Sequence, residues 1–522
     1  MKNPVLEPAS TASARPRLRF SRVCTAIQAG TPGEMMARAA AALKDSRFLE
    51  FRLDSLPRPA AVLPKIKMFL GDHPKVTTIG TCRRHPNGGH FTGSLADELE
   101  ILIRAARAGC RVIDLEVESA GEASPAQFEK FRTVVRNAGA ALLVSFHDFS
   151  RTRGLEEAAD HIASFEPDLI KVVSTAQTLA DNLAVIRLLA DRTTKSCIVA
   201  MAMGEEGLVS RVLGPLSGSA FTFASIEEGA ETAPGQVTAH TLRTLYRIDK
   251  LNPETRIFGV AGNPIAHSLS PLMHNAAFHR QGVNAVLLPL KVRALADLLD
   301  LTLELPLSGV AVTMPLKREV LPHLDHMDAL TGKIGASNTL RVSADGKLYG
   351  FNTDVEGVVR PLEKRLELSG ARVAVVGAGG AARAAVFGLV DKGAEVFVVN
   401  RTHENAVALA KDAGAGAMKH EQLAKNRMDV LINSTPCGMA GSAQSHPVAE
   451  SELNAGLVFD MVYNPLETPL LKLAKSRGIP VINGLEMFVQ QGARQFEIWT
   501  GKTPPEAEMQ RIVQRALQRR QR

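Results

Sequence analysis

Short apolar runs alternate with longer amphipathic stretches eight times between residues 23 and 225, the rhythm of a parallel sheet whose strands are separated by helices and closed into a barrel. The apolar runs predict strands at 24–29, 49–53, 77–81, 112–115, 141–146, 169–173, 197–202 and 221–224. Between them, apolar residues recur at three- and four-residue spacing over 95–108 and 128–137, which predicts helices. The pattern closes with a helix near 238–246 and a polar, proline-containing segment, where a domain boundary belongs. A fresh strand at 257–260 opens the second half, and from Arg372 a strand, a glycine-rich turn and a helix at 381–389 lead to a strand at 395–399. The chain thus reads as α/β throughout. A leader (1–20), a (β/α)8 TIM barrel (21–248) and a linker (249–256) precede a two-lobed second half. That half has an α/β substrate lobe (257–365), a Rossmann-type dinucleotide lobe (366–484) and C-terminal helices (485–522) returning to the substrate lobe.

Composition narrows the class. A chain of 522 residues exceeds what one core supports, and 45% hydrophobic with 22% charged content excludes disordered, collagen-like and mucin-like chains. Arg383 and several glycines interrupt the apolar run at 373–390, so no membrane span is expected. Five cysteines, odd in number and without CxxC spacing, argue against a disulfide framework or a structural zinc and for a reducing compartment. The net charge of +7 comes from scattered Lys and Arg, which suits small anionic substrates and not nucleic acid. Residues 1–20 hold three arginines, several hydroxyl side chains and one acid, Glu7, a faint organelle-targeting flavour. Their shortness favours a bacterial tail, hence cytoplasm over plastid, and the basic end at 511–522 reads as a solvated helix. The oligomeric state stays open, a monomer included.

In such barrels chemistry sits at the carboxyl ends of the strands. There the sequence places Glu50, Arg52 and Asp54, then Arg83, Glu116, His147 and Lys171. Lys171 interrupts the apolar run Leu169-Ile170-Lys171-Val172-Val173, where burial disfavours an ammonium and favours a nucleophilic amine. The alternative is a structural lysine paired with a carboxylate. His147, one strand earlier, could be a satisfied core histidine. Beside an imine, a neutral imidazole can instead take the proton next to the imine carbon and help a hydroxyl leave as water.

Six motifs in order resemble the type I 3-dehydroquinate dehydratases over about residues 23–246. They are Glu50-x-Arg52-x-Asp54, Thr81-x-Arg83, Ser145-x-His147-Asp148, Ile170-Lys171, the Met203-Gly204 turn with Arg211 beyond it, and Ala233-Pro234-Gly235-Gln236. The resemblance implies that Lys171 forms an imine with the ring ketone and that His147 is general acid and base. It further implies that Arg211, Thr232 and Gln236 bind carboxylate and hydroxyls, with Glu50, Arg52 and Arg83 lining the pocket. One position departs from the family: Asn87 stands before Gly88 and Gly89 where an acid near the catalytic histidine is usual. A neutral amide can orient an imidazole but stabilises imidazolium less well, which bears on rate and pH optimum.

In the second half the strand Val373-Ala374-Val375-Val376 runs into Gly377-Ala378-Gly379-Gly380-Ala381-Ala382 and a helix. That context lets backbone approach a pyrophosphate at a helix amino terminus. The strand at 395–399 ends in Asn400-Arg401-Thr402, with no acid for a ribose 2'-hydroxyl, so NADP is the expected cofactor, its 2'-phosphate suiting Arg401 and Thr402. Lys317 and Asp354, 37 positions apart, would taken alone more often be unrelated surface charges; the motifs flanking them make them the expected proton-handling pair. The second half resembles shikimate dehydrogenases from 257 to about 518. The matching motifs are Ser268-x-Ser270-Pro271, Asn338-Thr339, Asn352-Thr353-Asp354, Asn433-Ser434-Thr435-Pro436-x-Gly438-Met439, Asp460-x-x-Tyr463 and the 484–491 stretch.

That resemblance implies that Ser268 and Ser270, aided by Tyr463, hold the substrate carboxylate, and that Thr313, Lys317, Asn338, Asp354 and Gln491 contact ring hydroxyls. Lys317 is then the proton-transfer residue, and Met461 and Gly484 join the cofactor set. No metal is implied. The expected function is dehydration of 3-dehydroquinate followed by NADPH reduction of 3-dehydroshikimate to shikimate. The alternatives are partial quinate dehydrogenase activity, disfavoured by the intact serine pair, and a non-catalytic regulator, disfavoured by the intact Lys171, His147, Lys317 and Asp354.

Overall fold

The computed structural model describes residues 20–193, 196–444 and 446–520. The leader, apart from Phe20, lies outside the described residues, as do the last two residues of the basic end. Two compact units result, one of residues up to 255 with 290–305, the other of 256–289 with 306 onward.

The first unit carries eight parallel strands: β1 Val23–Ile27, β2 Phe48–Arg52, β3 Thr77–Thr81, β4 Val112–Glu116, β5 Ala141–His147, β6 Leu169–Thr175, β7 Ile198–Met203 and β8 Thr222–Ala224. The hydrogen-bonded order runs β7-β6-β5-β4-β3-β2-β1-β8, and the Ala220 amide just ahead of β8 donates to Ile198 on β7 at 2.8 Å. Strand alternation explains both faces. Phe48, Ile79, Val112, Leu143, Leu169 and Val199 fill the barrel interior, while Leu49, Ile113, Leu142, Ile170 and Val172 pack outward under the helices. Phe20, Phe48 and Phe221 pack in tilted and edge-to-face pairs, with centroids 4.8 to 5.3 Å apart, and close the amino-terminal end. Two residues further along β2 to β6 the inward positions turn polar: Glu50, Thr81, Asp114, Ser145 and Lys171. The same alternation that builds the plug thus places the polar layer above it.

In the second unit, β9 Arg256–Gly262, β10 Ala285–Lys291, β11 Leu307–Val312, β12 His326–Met327, β13 Thr339–Val342 and β14 Leu348–Phe351 form a mixed sheet ordered β10-β9-β11-β13-β14-β12. A second, parallel sheet comprises β15 Arg372–Val376, β16 Glu395–Val399, β17 Gly416–Met418, β18 Met428–Asn433, β19 Ala455–Asp460 and β20 Val481–Ile482. Its order, β17-β16-β15-β18-β19-β20, reverses direction beside β15, the crevice where doubly wound sheets bind dinucleotides. Helices Gly484–Thr500 and Glu506–Arg520 bury Val489, Phe496, Trp499, Met509 and Val513 with Phe258, Met273 and Phe278 of the mixed-sheet lobe. Among the described residues no helix is long and apolar enough to cross a membrane.

Candidate active sites

At the carboxyl end of the barrel one cavity is lined by Glu50, Arg52, Arg83, His147, Lys171, Arg211, Thr232 and Gln236. The other residues singled out from the sequence of this half, Asp54, Glu116 and Asn87, are not part of that lining. Lys171 is buried to 3% exposure, with its Nζ 4.3 Å from the Phe223 ring centroid and 2.9 Å from Asp114 Oδ2. The carboxylate partner weighed as the alternative is present: Asp114 pairs with Lys171 from β4, two strands away. Burial works against a charged Asp114. The Lys171 and Arg83 charges and the Ser145 hydroxyl outweigh that and hold its carboxyl below the usual carboxylate range.

Arg83 does more than line the pocket. Its Nη1 is 2.9 Å from His147 Nε2, its Nη2 3.3 Å from Asp114 and its Nε 3.3 Å from Glu116. A guanidinium can only donate, so His147 Nε2 accepts and the ring proton sits on Nδ1. Burial, followed by the charges of Arg83, Lys171 and Arg52, holds His147 well below the ordinary imidazole value. Burial pushes Glu116 up to about 7 in spite of Arg83. Among the described residues Asn87 makes no hydrogen bond to the imidazole, and its amide donates to Glu118 at 3.3 Å. Gly88 instead backs onto Phe149, which stacks on His147 with centroids 6.0 Å apart.

Arg211 is 1% exposed, and burial lowers its guanidinium to about 10. Among the described residues it donates only to the Pro234 carbonyl, at 3.2 Å, and the Met201 sulfur, at 3.5 Å. A buried cation without a carboxylate is a site for an anion. Arg52, by contrast, is neutralised by a two-pronged bond to Asp54 at 2.9 and 2.8 Å. The loop carrying Thr232 and Gln236 is held by Gly235 at φ 69°, where a Cβ would strike the Gly204 carbonyl at 2.0 Å. Within it the Thr232 amide donates to Gln236 Oε1 at 2.8 Å.

The second unit joins Lys317 and Asp354 directly, Nζ to Oδ2 at 2.5 Å. Asn338 donates to the other carboxylate oxygen at 2.9 Å. Gln491 packs its Cβ 3.2 Å from the Cβ position of Gly357, within the helix Asp354–Glu363 that Asp354 begins, and donates to the Phe488 carbonyl at 2.9 Å. Tyr463 stacks on the Phe488 ring at 4.9 Å. Thr313 follows β11 and packs so closely on Gly262 that a Cβ there would lie 2.4 Å from its methyl. Ser268 and Ser270 are joined to each other by the Ser270 amide at 3.3 Å. Among the described residues no direct hydrogen bond links this pair to Lys317.

The residues at the β15 turn fit a dinucleotide. Gly377 takes φ 120°, and a Cβ there would meet Ser434 Oγ at 2.4 Å. A Cβ on Gly379 or Gly380 would meet nothing within 4 Å, so backbone can approach a pyrophosphate unhindered. The helix Gly380–Asp391 begins without a side-chain cap, leaving its first amides, with Ala378 and Ala381 beside them, for an anion. Beyond β16, Asn400 bonds the Thr402 carbonyl at 2.9 Å. Arg401 and Thr402 are exposed, and no carboxylate pairs with Arg401 among the described residues. Across the switch point Gly484 lies against Met461, whose carbonyl is 2.4 Å from its Cβ position.

Sequence reasoning missed Asp114, although it sits in Val112-Ile113-Asp114-Leu115-Glu116 with the same inward alternation that marked Lys171.

Comparison with known proteins divides the chain at the same place. Residues 23–253 match the type I 3-dehydroquinase model. Residues 260–340 match the shikimate dehydrogenase substrate binding domain, 361–455 the shikimate/quinate 5-dehydrogenase model, and 484–514 the shikimate 5'-dehydrogenase C-terminal domain. The chloroplastic bifunctional 3-dehydroquinate dehydratase/shikimate dehydrogenase of Arabidopsis thaliana is 32% identical over 510 residues, covering 93% of this chain and 83% of that one. The NADP(+) shikimate dehydrogenase of Methanosarcina acetivorans is 43% identical over 279 residues, 50% of this chain and 99% of its own. The solved dehydroquinate dehydratase and shikimate dehydrogenase from S. pombe is 25% identical, covering 95% of this chain and 98% of that one with a TM-score of 0.45. The chain belongs to the bifunctional 3-dehydroquinate dehydratase/shikimate dehydrogenase family, a lyase and an NADP-dependent oxidoreductase in one polypeptide.

Proposed function

We propose that the barrel dehydrates 3-dehydroquinate through an imine on Lys171 and that the second unit reduces the resulting 3-dehydroshikimate to shikimate. The observation that carries the first step is a buried lysine amine, backed by Asp114 and facing the cavity that holds His147 and the anion-seeking Arg211. Lys171 gives up a proton and adds to the ring ketone, and loss of water leaves an iminium whose charge the Asp114 carboxylate offsets. His147 removes the proton on the carbon next to the iminium and returns it to the departing hydroxyl, which leaves as water. Hydrolysis of the imine releases product and restores the amine. Before His147 can accept that proton, Arg83 must leave Nε2, and the substrate's hydroxyls offer the guanidinium another acceptor. Arg211 holds the carboxylate, with Thr232 and Gln236 beside it and Glu50 and Arg52 at the ring. Borohydride added with 3-dehydroquinate should leave a reduced adduct on the peptide containing Lys171; an adduct elsewhere, or none, overturns the imine.

The acid behaviour follows from the neutral imidazole. His147 remains a base as pH falls through 6.5, because the fall of its proton affinity on burial keeps the charged form out. Dehydratase kcat/KM should therefore show no His147 limb near 6.5. Glu116, raised to about 7, does titrate there, so the Glu116→Gln variant separates the two. A limb near 7 that vanishes in that variant belongs to Glu116, and one that persists contradicts a neutral His147.

In the second unit a bound nicotinamide supplies the hydride. Gly377, Ala378, Gly379, Gly380 and Ala381 would hold the pyrophosphate, Asn400, Arg401 and Thr402 the 2'-phosphate, and Met461 and Gly484 the nicotinamide end. Lys317 holds the proton at the substrate's oxygen, its ammonium fixed by Asp354, while Ser268, Ser270 and Tyr463 take the carboxylate and Thr313, Asn338 and Gln491 the hydroxyls. The serine pair favours shikimate over quinate. Arg401→Ala should raise the KM for NADP by roughly tenfold or more, the worth of one charge-assisted phosphate contact, and leave the KM for NAD unchanged. Equal effects on both would remove Arg401 from the 2'-phosphate site. The five cysteines are all unpaired, which suits a reducing compartment, and we assign the cytoplasm.

A further inference from the structure

Behind Lys317, Asp354 and Asn338 runs a buried file of side chains, His274, Gln495 and Thr339, that the chemistry above leaves unused. His274, in the helix Ser270–Arg280, is fully buried, with Nε2 3.2 Å from Oε1 of Gln495 in the helix Gly484–Thr500. The Gln495 amide nitrogen donates to Thr339 Oγ1 at 3.1 Å and to the Asn338 carbonyl at 3.4 Å. Its oxygen is therefore the acceptor for His274, which places the imidazole proton on Nε2. The Thr339 hydroxyl donates to Asn338 Oδ1 at 2.8 Å, and Asn338 Nδ2 donates to Asp354 Oδ1 at 2.9 Å. Lys317 donates to the remaining oxygen. Every bond in the file points from His274 toward the carboxylate.

Core packing does not explain this arrangement. Val489, Ala493 and Phe496 of the same helix enter the hydrophobic core, and a glutamine 2% exposed among them is costly unless its amide is fully bonded. Three of its hydrogen-bonding capacities are met, and all three groups lead to residues 338 and 339 or to His274. Burial keeps His274 near 4, against the opposing pull of Gln495, so it stays neutral and keeps one tautomer through the neutral range. Its Nδ1 has no hydrogen-bond partner among the described residues, consistent with an unprotonated nitrogen facing apolar neighbours. Hydrogen bonds in series polarise one another and act as a unit. The unit holds the Asn338 amide with its nitrogen toward Asp354; reversed, its oxygen would face the carboxylate. The Thr353 amide, 2.8 Å from Asn338 Oδ1, supports the same orientation.

We propose that Gln495, backed by His274, is a positioning residue for the proton-transfer pair, acting through Thr339 and Asn338 to fix Asp354 and, through it, the Lys317 ammonium. The proposal rests on Lys317 as the proton-transfer residue. The test uses the full chain and steady-state oxidation of shikimate with NADP. Gln495→Met and Thr339→Val should each lower kcat by roughly tenfold to a hundredfold, the usual cost of losing a buried group that orients a working one. The KM values for shikimate and NADP should change little, and the dehydratase rate of the same molecules should be unaltered. Thr339→Ser, which keeps the hydroxyl, should retain most of the turnover. The double variant Gln495→Met/Thr339→Val should be no slower than the slower single variant, because both break one file.

A wild-type kcat in Gln495→Met overturns the proposal. So does a loss in Thr339→Ser equal to that in Thr339→Val, which marks packing and not the hydroxyl as the cause, and so do fully additive losses in the double variant. Should Gln495→Met fail to bind NADP, the two Thr339 variants decide. Lys317→Ala separates the two layers of the account. If it keeps its turnover, the proton-transfer reading fails; if it is inactive while Gln495→Met and Thr339→Val run at the wild-type rate, only the positioning role fails.

Discussion

Replacing Lys171 with methionine is expected to abolish dehydration of 3-dehydroquinate, lowering kcat on the order of 10^4-fold or more, while shikimate oxidation by the same molecules is unchanged. The magnitude follows from losing the covalent route altogether, since no other amine lines the cavity and the base alone must then act on an unactivated ketone. Methionine keeps most of the side chain's length and its apolar stem, while the ammonium's contact with the Phe223 ring is lost. The variant does strip one cation from buried Asp114, a change that costs a few kcal/mol when it leaves a charge uncompensated. Here Arg83, at 3.3 Å, and Ser145, at 2.6 Å, remain on that carboxylate. The expected result is a folded barrel with a lowered unfolding midpoint, measured by thermal denaturation beside the product assay. Dehydration at the wild-type rate would show that Asp114 and Lys171 form a structural pair and nothing more.

The second large effect is expected from Lys317→Ala. Proton transfer by a positioned group contributes roughly 10^2 to 10^4 in rate, and that loss should appear in kcat for shikimate oxidation. NADP binding, measured by fluorescence of the single Trp499 or by calorimetry, should persist, because the glycine turn at 377–380 and Arg401 are untouched. Asp354 keeps its bond from Asn338 at 2.9 Å, so the local fold has a second anchor. Full turnover would refute the proton role, and parallel loss of NADP binding would move Lys317 from chemistry to cofactor binding.

How much of this could be read in the sequence depended on whether the signal lay along one element or between elements. Parallel strands buried on both faces appear as continuous apolar runs, and each of the eight barrel strands starts and ends within two residues of its run. The turn at Gly377 declared itself because strand, glycines and helix are consecutive. Lys171 was visible because charge inside an apolar run violates the local rule. Asp114 broke the same rule one strand pair away, yet its meaning lies in a contact across 57 positions, which no periodicity encodes. The same holds for Arg83. Its place at a strand end was legible, whereas its grip on His147, Asp114 and Glu116 comes from barrel closure. Asn87 was singled out for a role beside the imidazole that the geometry gives to Arg83. Gln495 and His274 gave no local signal, since one polar residue on an amphipathic helix is unremarkable until the helix is packed.

The central claim is that two lysines in one chain carry two consecutive reactions independently. A single coupled measurement tests it: 3-dehydroquinate and NADPH are given to the enzyme, and shikimate is followed together with NADPH consumption. Wild type should form shikimate with one NADPH consumed per molecule. Lys171→Met alone and Lys317→Ala alone should form almost none, and an equimolar mixture of the two variants should recover it, each supplying the step the other lacks. Shikimate at the wild-type rate from either variant alone, or none from the mixture while each variant still performs its remaining step, would contradict the account.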